Sequence, residues 1–142
     1  MVNERRAALE QLCRTMGVSI LYAFGSRARD LYNWLEQGQQ ALLSSSSDVD
    51  IGAHAAPGVF WSVTDKVRLT IALEDLFDCP RVDLVILNEA DPFVAAEVIS
   101  GERLFARDAD EADEYDLYVL RRAGDLRPLE HERIDLVLRI QS

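Results

Sequence analysis

Cysteine is nearly missing from this chain, which has only Cys13 and Cys79. Both lie in helix-like surroundings and read as buried free thiols rather than a bridge. Histidine is as scarce, and His54 and His131 show no zinc-ligand spacing with the two cysteines. No apolar run approaches a membrane span, and the opening MVNERRAALEQLC reads as a charged helix rather than a signal peptide. A cytoplasmic protein is therefore expected. Positive charge is also short, with 15 Lys+Arg against 25 Asp+Glu and a formal net charge of −10. A protein whose main partner is a phosphate backbone carries a basic patch. Here the arginines are scattered and outnumbered, which speaks against direct nucleic-acid binding and favours a cationic or protein partner. No internal repeat or dividing linker is visible, so residues 1–142 read as one domain, long enough to bury a core without disulfides.

What is present is organised around AFGSRARD at Ala23–Asp30. An apolar strand, SILYAF, turns through Gly25-Ser26 into a basic helix start. Unpaired N–H groups and the positive dipole end at such a start suit a phosphate. Glycine lets the backbone approach the ligand, Ser26 adds a hydroxyl donor, and Arg27 and Arg29 can clamp further oxygens. A Gly-Ser turn after a strand is usually only a turn. The acidic half shifts that balance. In SDVDIGAHA, Asp48 and Asp50 share a strand face while Val49 and Ile51 take the other. Adjacent carboxylates repel unless a cation or shared proton neutralises them, and hard oxygen ligands suit Mg²⁺. Asp83 interrupts RVDLVIL, which otherwise reads as a buried apolar strand, and a metal-filled site explains a charge there. One such aspartate reads as a solvated strand end; three with the Gly-Ser turn read as a site. His54 has the parity of Asp48 and Asp50, which allows it to face the site, although a half-exposed structural histidine is the commoner case.

The periodicity predicts a helix over Val2–Met16, closed by Gly17, and a strand over Val18–Phe24. A second strand covers Asp48–Ala55 and stops at Pro57-Gly58. A helix over Thr64–Phe77 presents Val67, Ile71, Leu73, Leu76 and Phe77, and ends before Pro80. The third strand covers Arg81–Leu87. Asp91-Pro92 then caps a helix whose expected inner face is Phe93, Ala96, Val98 and Ile99, with Gly101 as its stop. Arg103–Ala106 reads as an edge strand. The tail from 109 to 142 reads as helical, one segment with Tyr115, Leu117, Tyr118 and Leu120–Arg122 and another with Leu136, Val137 and Ile140, separated by Pro128. The fold class is α/β (α+β): a small mixed sheet of three to four strands with helices mainly on one face.

Gly25-Ser26, the Arg27-Ala28-Arg29 after it, Asp48-x-Asp50 and Asp83 together resemble the minimal nucleotidyltransferase family of the polymerase-β-like superfamily. DPFVAAEVISGERLFARD resembles the family's tail, so the resemblance runs from about Met16 to Asp108. It implies a polymerase-β-like nucleotidyltransferase fold and transfer of AMP from ATP. Asp48, Asp50 and Asp83 would be catalytic and hold Mg²⁺, and Asp83 would accept the proton of the attacking hydroxyl. Gly25 and Ser26 would hold the phosphates. Family members resemble antitoxins that adenylylate a tyrosine of a HEPN ribonuclease toxin from a neighbouring gene; a homo- or hetero-oligomer stays open. Two other functions stay open, neutralisation of a partner by binding alone and nucleotidylation of a cationic, aminoglycoside-like small molecule.

Two features depart from the family. Asp30 stands where glycine is usual, and 21 residues separate Ser26 from Asp48, more than is usual. The additional segment, about Leu31–Ser46, is either a lengthened helix with Leu31, Leu35 and Leu42 on one face, or a lid carrying Tyr32 and Trp34 over the nucleotide. Gly38 weakens a continuous helix there, and the four serines from Ser44 to Ser47 read as a flexible joint.

Overall fold

The computed structural model describes residues 3–37 and 48–124. Helix α1 spans Glu4–Met16; its first turn is capped by the Asn3 side chain, which accepts from the Arg6 N–H, and it ends on left-handed Gly17 at φ 76°. Strand β1 covers Val18–Phe24, helix α2 Ala28–Gln37 and strand β2 Val49–Ala55. Helix α3, Val63–Phe77, starts with a reciprocal capping box between Ser62 and Asp65. Strand β3 is Val82–Ile86, followed by a 3₁₀ turn at Leu87–Glu89. Helix α4, Pro92–Ile99, is capped by Asp91 with proline in its first turn, as expected, and strand β4 covers Glu102–Ala106. A last helix, α5, runs over residues 109–124.

The strands form one mixed sheet in the order β3-β2-β1-β4. β1 is antiparallel to β2 and to β4, while β2 and β3 are parallel. Parallel neighbours need a crossover, and α3 supplies it. One sheet face holds the larger core. There Leu21 and Ala23 of β1 and Val49, Ile51 and Ala53 of β2 pack with Leu9, Leu31, Leu35, Leu69, Leu73 and Phe77 of α1, α2 and α3. The opposite face carries Ile20 and Tyr22 under Ala95 and Val98 of α4 and Ala112 and Val119 of α5. The buried Tyr22 hydroxyl donates to Asp116, which Arg103 also binds at 2.7 Å, so α5 is fastened to β1 and β4 by a polar network. Gly52 is small because α4 lies on it: a Cβ there would overlap Val98.

Several expectations are corrected. β3 is an edge strand of intermediate burial, not a buried central one. The face that α3 buries is Leu69, Leu73 and Phe77, whereas Val67 and Ile71 point outward, each 50% exposed. α4 buries Ala95 and Val98 and leaves Phe93 exposed, and α5 buries Ala112, Val119 and Ala123 with Leu117 outside. Trp34 is only 6% exposed and meets Phe77 edge-on at 6.2 Å, with the Arg5 guanidinium over its ring. The first part of the additional segment is therefore a packed helix and not a lid. Gly38, Leu42 and the serines from Ser44 to Ser47, with the tail segment around Leu136, Val137 and Ile140, lie outside the described residues. Cys13 and Cys79 are buried free thiols, as expected, and burial pushes the Cys13 thiol up to about 12. No helix among the described residues is long and apolar enough to cross a membrane.

Candidate active site

β1 leaves the sheet at Phe24, and the chain reverses through Gly25 and Ser26 into α2. Gly25 sits at φ 76°, where a side chain is strained, and it has no room for one either: a Cβ would stand 2.5 Å from Asp50 Oδ2. The register explains the contact, because Phe24 and Asp50 are Cα partners across the β1–β2 ladder. The turn expected to cradle phosphate is thus pressed against one of the expected carboxylates. Gly25 and Ser26 are both exposed.

The parallel ladder adds the third residue. Asp50 and Asp83 are partners in register, and parallel partners send their side chains to the same face. Asp48 precedes β2 and has the parity of Asp50. The structure therefore gathers Asp48, Asp50, Asp83 and the Gly25-Ser26 turn at one end of the sheet. Asp50's carboxyl is raised above the usual carboxylate range, first by its partial burial and then by the negative charges of Asp83, Asp48 and Glu97. Such a set has an unmet demand for positive charge. Arg81 meets part of it, with Nε 3.7 Å from Asp48 Oδ2 and a terminal nitrogen 3.3 Å from Asp83 Oδ1. Among the described residues no three acidic, histidine or cysteine side chains converge at metal-binding distances. The chemistry of the donors nevertheless fits a hard divalent cation: carboxylate oxygens gathered at one end of the sheet beside a glycine turn. Arg81, its side chain 67% exposed, has solvent to move into when such an ion competes for the same oxygens.

Arg27 and Arg29 flank the turn with different engagements. Arg29 pairs with Glu102 at 3.0 Å, and its guanidinium lies 5.7 Å from the Tyr32 ring centroid. Arg27 approaches Asp30 at 3.6 Å, so the aspartate that replaces the family's usual glycine draws on one of the two expected phosphate clamps.

His54 is on the same sheet face as Asp50 but at the other end of β2, about 13 Å further along at the rise of an extended strand. There its Nδ1 is 2.8 Å from the Ser19 hydroxyl and its ring lies 4.5 Å from that of Tyr115. Together with Asn88, Tyr115, Tyr118 and Arg122 it lines a separate cavity of about 260 Å³. Its burial lowers its pKa, and it takes no part in the carboxylate cluster. Two residues at the cluster escaped notice in the sequence. Arg81 has the strand parity of Asp83, which is a legible signal, and Glu97 is the one charge in the apolar run of α4.

Residues 8–110 match the family described as polymerase beta, nucleotidyltransferase. No match was found among curated proteins. Solved structures similar to this chain include one from a toxin–antitoxin complex with AMP-PNP, at TM-score 0.61 and 20% identity over 96% of this chain and 98% of that one. Another comes from the complex of tri-AMPylated Shewanella oneidensis HEPN toxin with MNT antitoxin, at TM-score 0.64 and 18% identity over 94% and 96% of the two chains. A candidate minimal nucleotidyltransferase is 30% identical over 69% of this chain and 85% of its own, at TM-score 0.50. At those lower identities the likeness speaks for the fold, a polymerase-β-like mixed sheet with this helix order. The sequence match covers well over half of the residues, including the glycine turn and all three aspartates, and on it the chain belongs to the polymerase beta nucleotidyltransferase family.

Proposed function

We propose that this chain is a protein adenylyltransferase: it transfers AMP from ATP, with Mg²⁺, to a hydroxyl of a partner protein, as an antitoxin that adenylylates a tyrosine of a HEPN toxin. The observation that carries the reading is the registered pair Asp50–Asp83 set against the Gly25 turn. In the reaction, the acceptor oxygen attacks the α-phosphorus, the bond to the β-phosphate oxygen breaks, and pyrophosphate leaves. Gly25 and Ser26 present the backbone and hydroxyl donors that receive the β- and γ-phosphates. Arg29 is placed to add charge-assisted bonds once it exchanges Glu102 for phosphate. Asp48, Asp50 and Asp83 would hold Mg²⁺, which supplies charge neutralisation of the phosphates and an in-line orientation of the reacting groups. Asp83, at the open edge of the sheet, takes the proton of the incoming hydroxyl. The partner class is supported by a solved complex of similar fold that contains a HEPN toxin and an MNT antitoxin, and by the net charge of −10, which suits a protein or cationic partner. The same reading includes a cytoplasmic location.

Arg81 favours a second reading. A guanidinium already bridging Asp48 and Asp83 is also what a non-catalytic antitoxin, neutralising its toxin by complex formation, would keep. One experiment separates the two: intact-mass spectrometry of the toxin encoded beside this chain after incubation with this protein, ATP and Mg²⁺. Added AMP, absent with Asp48→Ala, is the expected result. An unshifted toxin that still co-purifies supports neutralisation by binding.

A further inference from the structure

Asp83 lies at the end of a groove that nucleotide chemistry does not use. α3 and β3 enclose about 610 Å³ between them, walled by Val63, Val67 and Ile71 on the helix and Val82, Leu84 and Ile86 on the strand. The helix residues form one stripe at intervals of four and are 77%, 50% and 50% exposed, which is unusual for β-branched aliphatic side chains in a row. On the strand side Val82 is buried and Leu84 and Ile86 are half-buried, but the backbone edge is open, because β3 is the sheet edge and pairs only with β2 among the described residues. Its backbone alternates. The Val49 N–H donates to the Arg81 carbonyl within the ladder, so the Val82 N–H points outward, where the Glu74 carboxylate accepts it at 3.0 Å. By the same alternation the Leu84 and Ile86 amides point outward too, with no strand beside them among the described residues. Glu74 blunts the edge at one end; the remaining length is open where the apolar stripe runs.

We infer that this groove is the docking surface for an extended segment of the acceptor protein. That segment pairs with the outer edge of β3, sets alternate apolar side chains against Val63, Val67 and Ile71, and so brings its hydroxyl residue to Asp83. This rests on the adenylyltransferase reading for the acceptor's identity. Continuity selects the occupant, since the groove is lined at one end by Arg81 and Asp83 themselves. A second copy of this chain fits poorly: an isologous contact would face one concavity with another, and both copies carry a charge of −10. An extended segment with apolar and basic residues complements both the hollow and the charge.

The test compares Val67→Glu and Ile71→Glu with a control, Leu117→Glu, an exposed apolar position on α5 away from the groove. ATP binding, affinity for the co-encoded toxin and AMP transfer to it are measured for each. The groove variants are expected to bind ATP as wild type does, to weaken toxin binding about tenfold or more, and to lose transfer in parallel, while the control changes none of these. In the wild-type complex, hydrogen exchange at the Leu84 and Ile86 amides is expected to slow. If the groove variants bind and modify the toxin normally, or those two amides exchange unchanged, the docking inference is overturned and the adenylyltransferase reading stands. If wild type transfers no AMP yet binds the toxin, and the groove variants do not, docking stands and the transfer reading falls. Concentration-dependent dimerisation of wild type that the groove variants abolish would give the surface to a second copy and overturn the inference.

Discussion

The two ends of β2 carry polar side chains of the same parity on the same sheet face, and they have opposite characters. At one end burial and the like charges of Asp83, Asp48 and Glu97 raise Asp50's affinity for a proton, and Arg81 pairs with Asp48 and Asp83. At the other, His54 is surrounded by groups that suit a neutral ring, the Ser19 hydroxyl, the Asn88 amide and the Tyr115 ring. One end is left in need of a ligand, and the other is satisfied from within. Parity places a residue on a face; the charge left uncompensated there is what marks the candidate site.

The largest expected effect breaks the unsatisfied end. Asp50→Asn removes a proposed cation ligand and should lower AMP transfer on the order of a thousandfold, equivalent to several kcal/mol of transition-state stabilisation. It should also raise the melting temperature at neutral pH in EDTA. Asp50's folded pKa is raised, so its favourable contribution is present at low pH and lost as pH rises through the folded value. A variant that is inactive but less stable than wild type at pH 7 would mean that the carboxylate is structural.

Gly25→Ala should come next. The added methyl is strained at φ 76° and stands on Asp50 Oδ2, so turn and carboxylate must separate. Transfer is expected to fall about a hundredfold, as small displacements at reacting groups do, with a stability loss of about 1–2 kcal/mol in urea unfolding. Gly52→Ala, midway along the strand, probes the scaffold common to both ends. Its methyl overlaps Val98, so α4 must lift, and destabilisation of about 1–3 kcal/mol is expected from overpacking.

The smallest effect belongs to the satisfied end. His54's folded pKa is lowered from 6.5 by burial, so its contribution to stability is full above that value and is lost as pH falls below it. His54→Gln should flatten the fall in melting temperature between pH 7 and 5.5 while leaving transfer at pH 7.5 within about twofold, as surface and satisfied polar sites do. A large loss of transfer at pH 7.5 would place the histidine in the reaction and erase the contrast between the two ends.

Much of this arrangement was readable beforehand because it depends on local rules. Alternation along β2 put Asp48 and Asp50 together, and Asn3, Gly17, Ser62, Asp91 and Pro92 sit where helix ends require them. What was not readable depends on topology. VDLVIL has the composition of a central strand, and only the strand order places it at the edge. In α3, Val67 and Ile71 compete with Leu69, Leu73 and Phe77 for the buried stripe, and a helix apolar on so wide an arc does not announce which side the sheet takes. Trp34 was ambiguous for a like reason, since its burial depends on Phe77 from a helix far along the chain.

The central claim is tested most directly by following the two ends of labelled ATP. With wild-type protein, Mg²⁺ and the proposed toxin partner, label at the α-phosphate should enter the partner, label at the γ-phosphate should leave as pyrophosphate, and Asp50→Asn should abolish both. Transfer of the γ-label to the toxin, or α-label transfer that persists at wild-type rate without Asp50, would contradict the account.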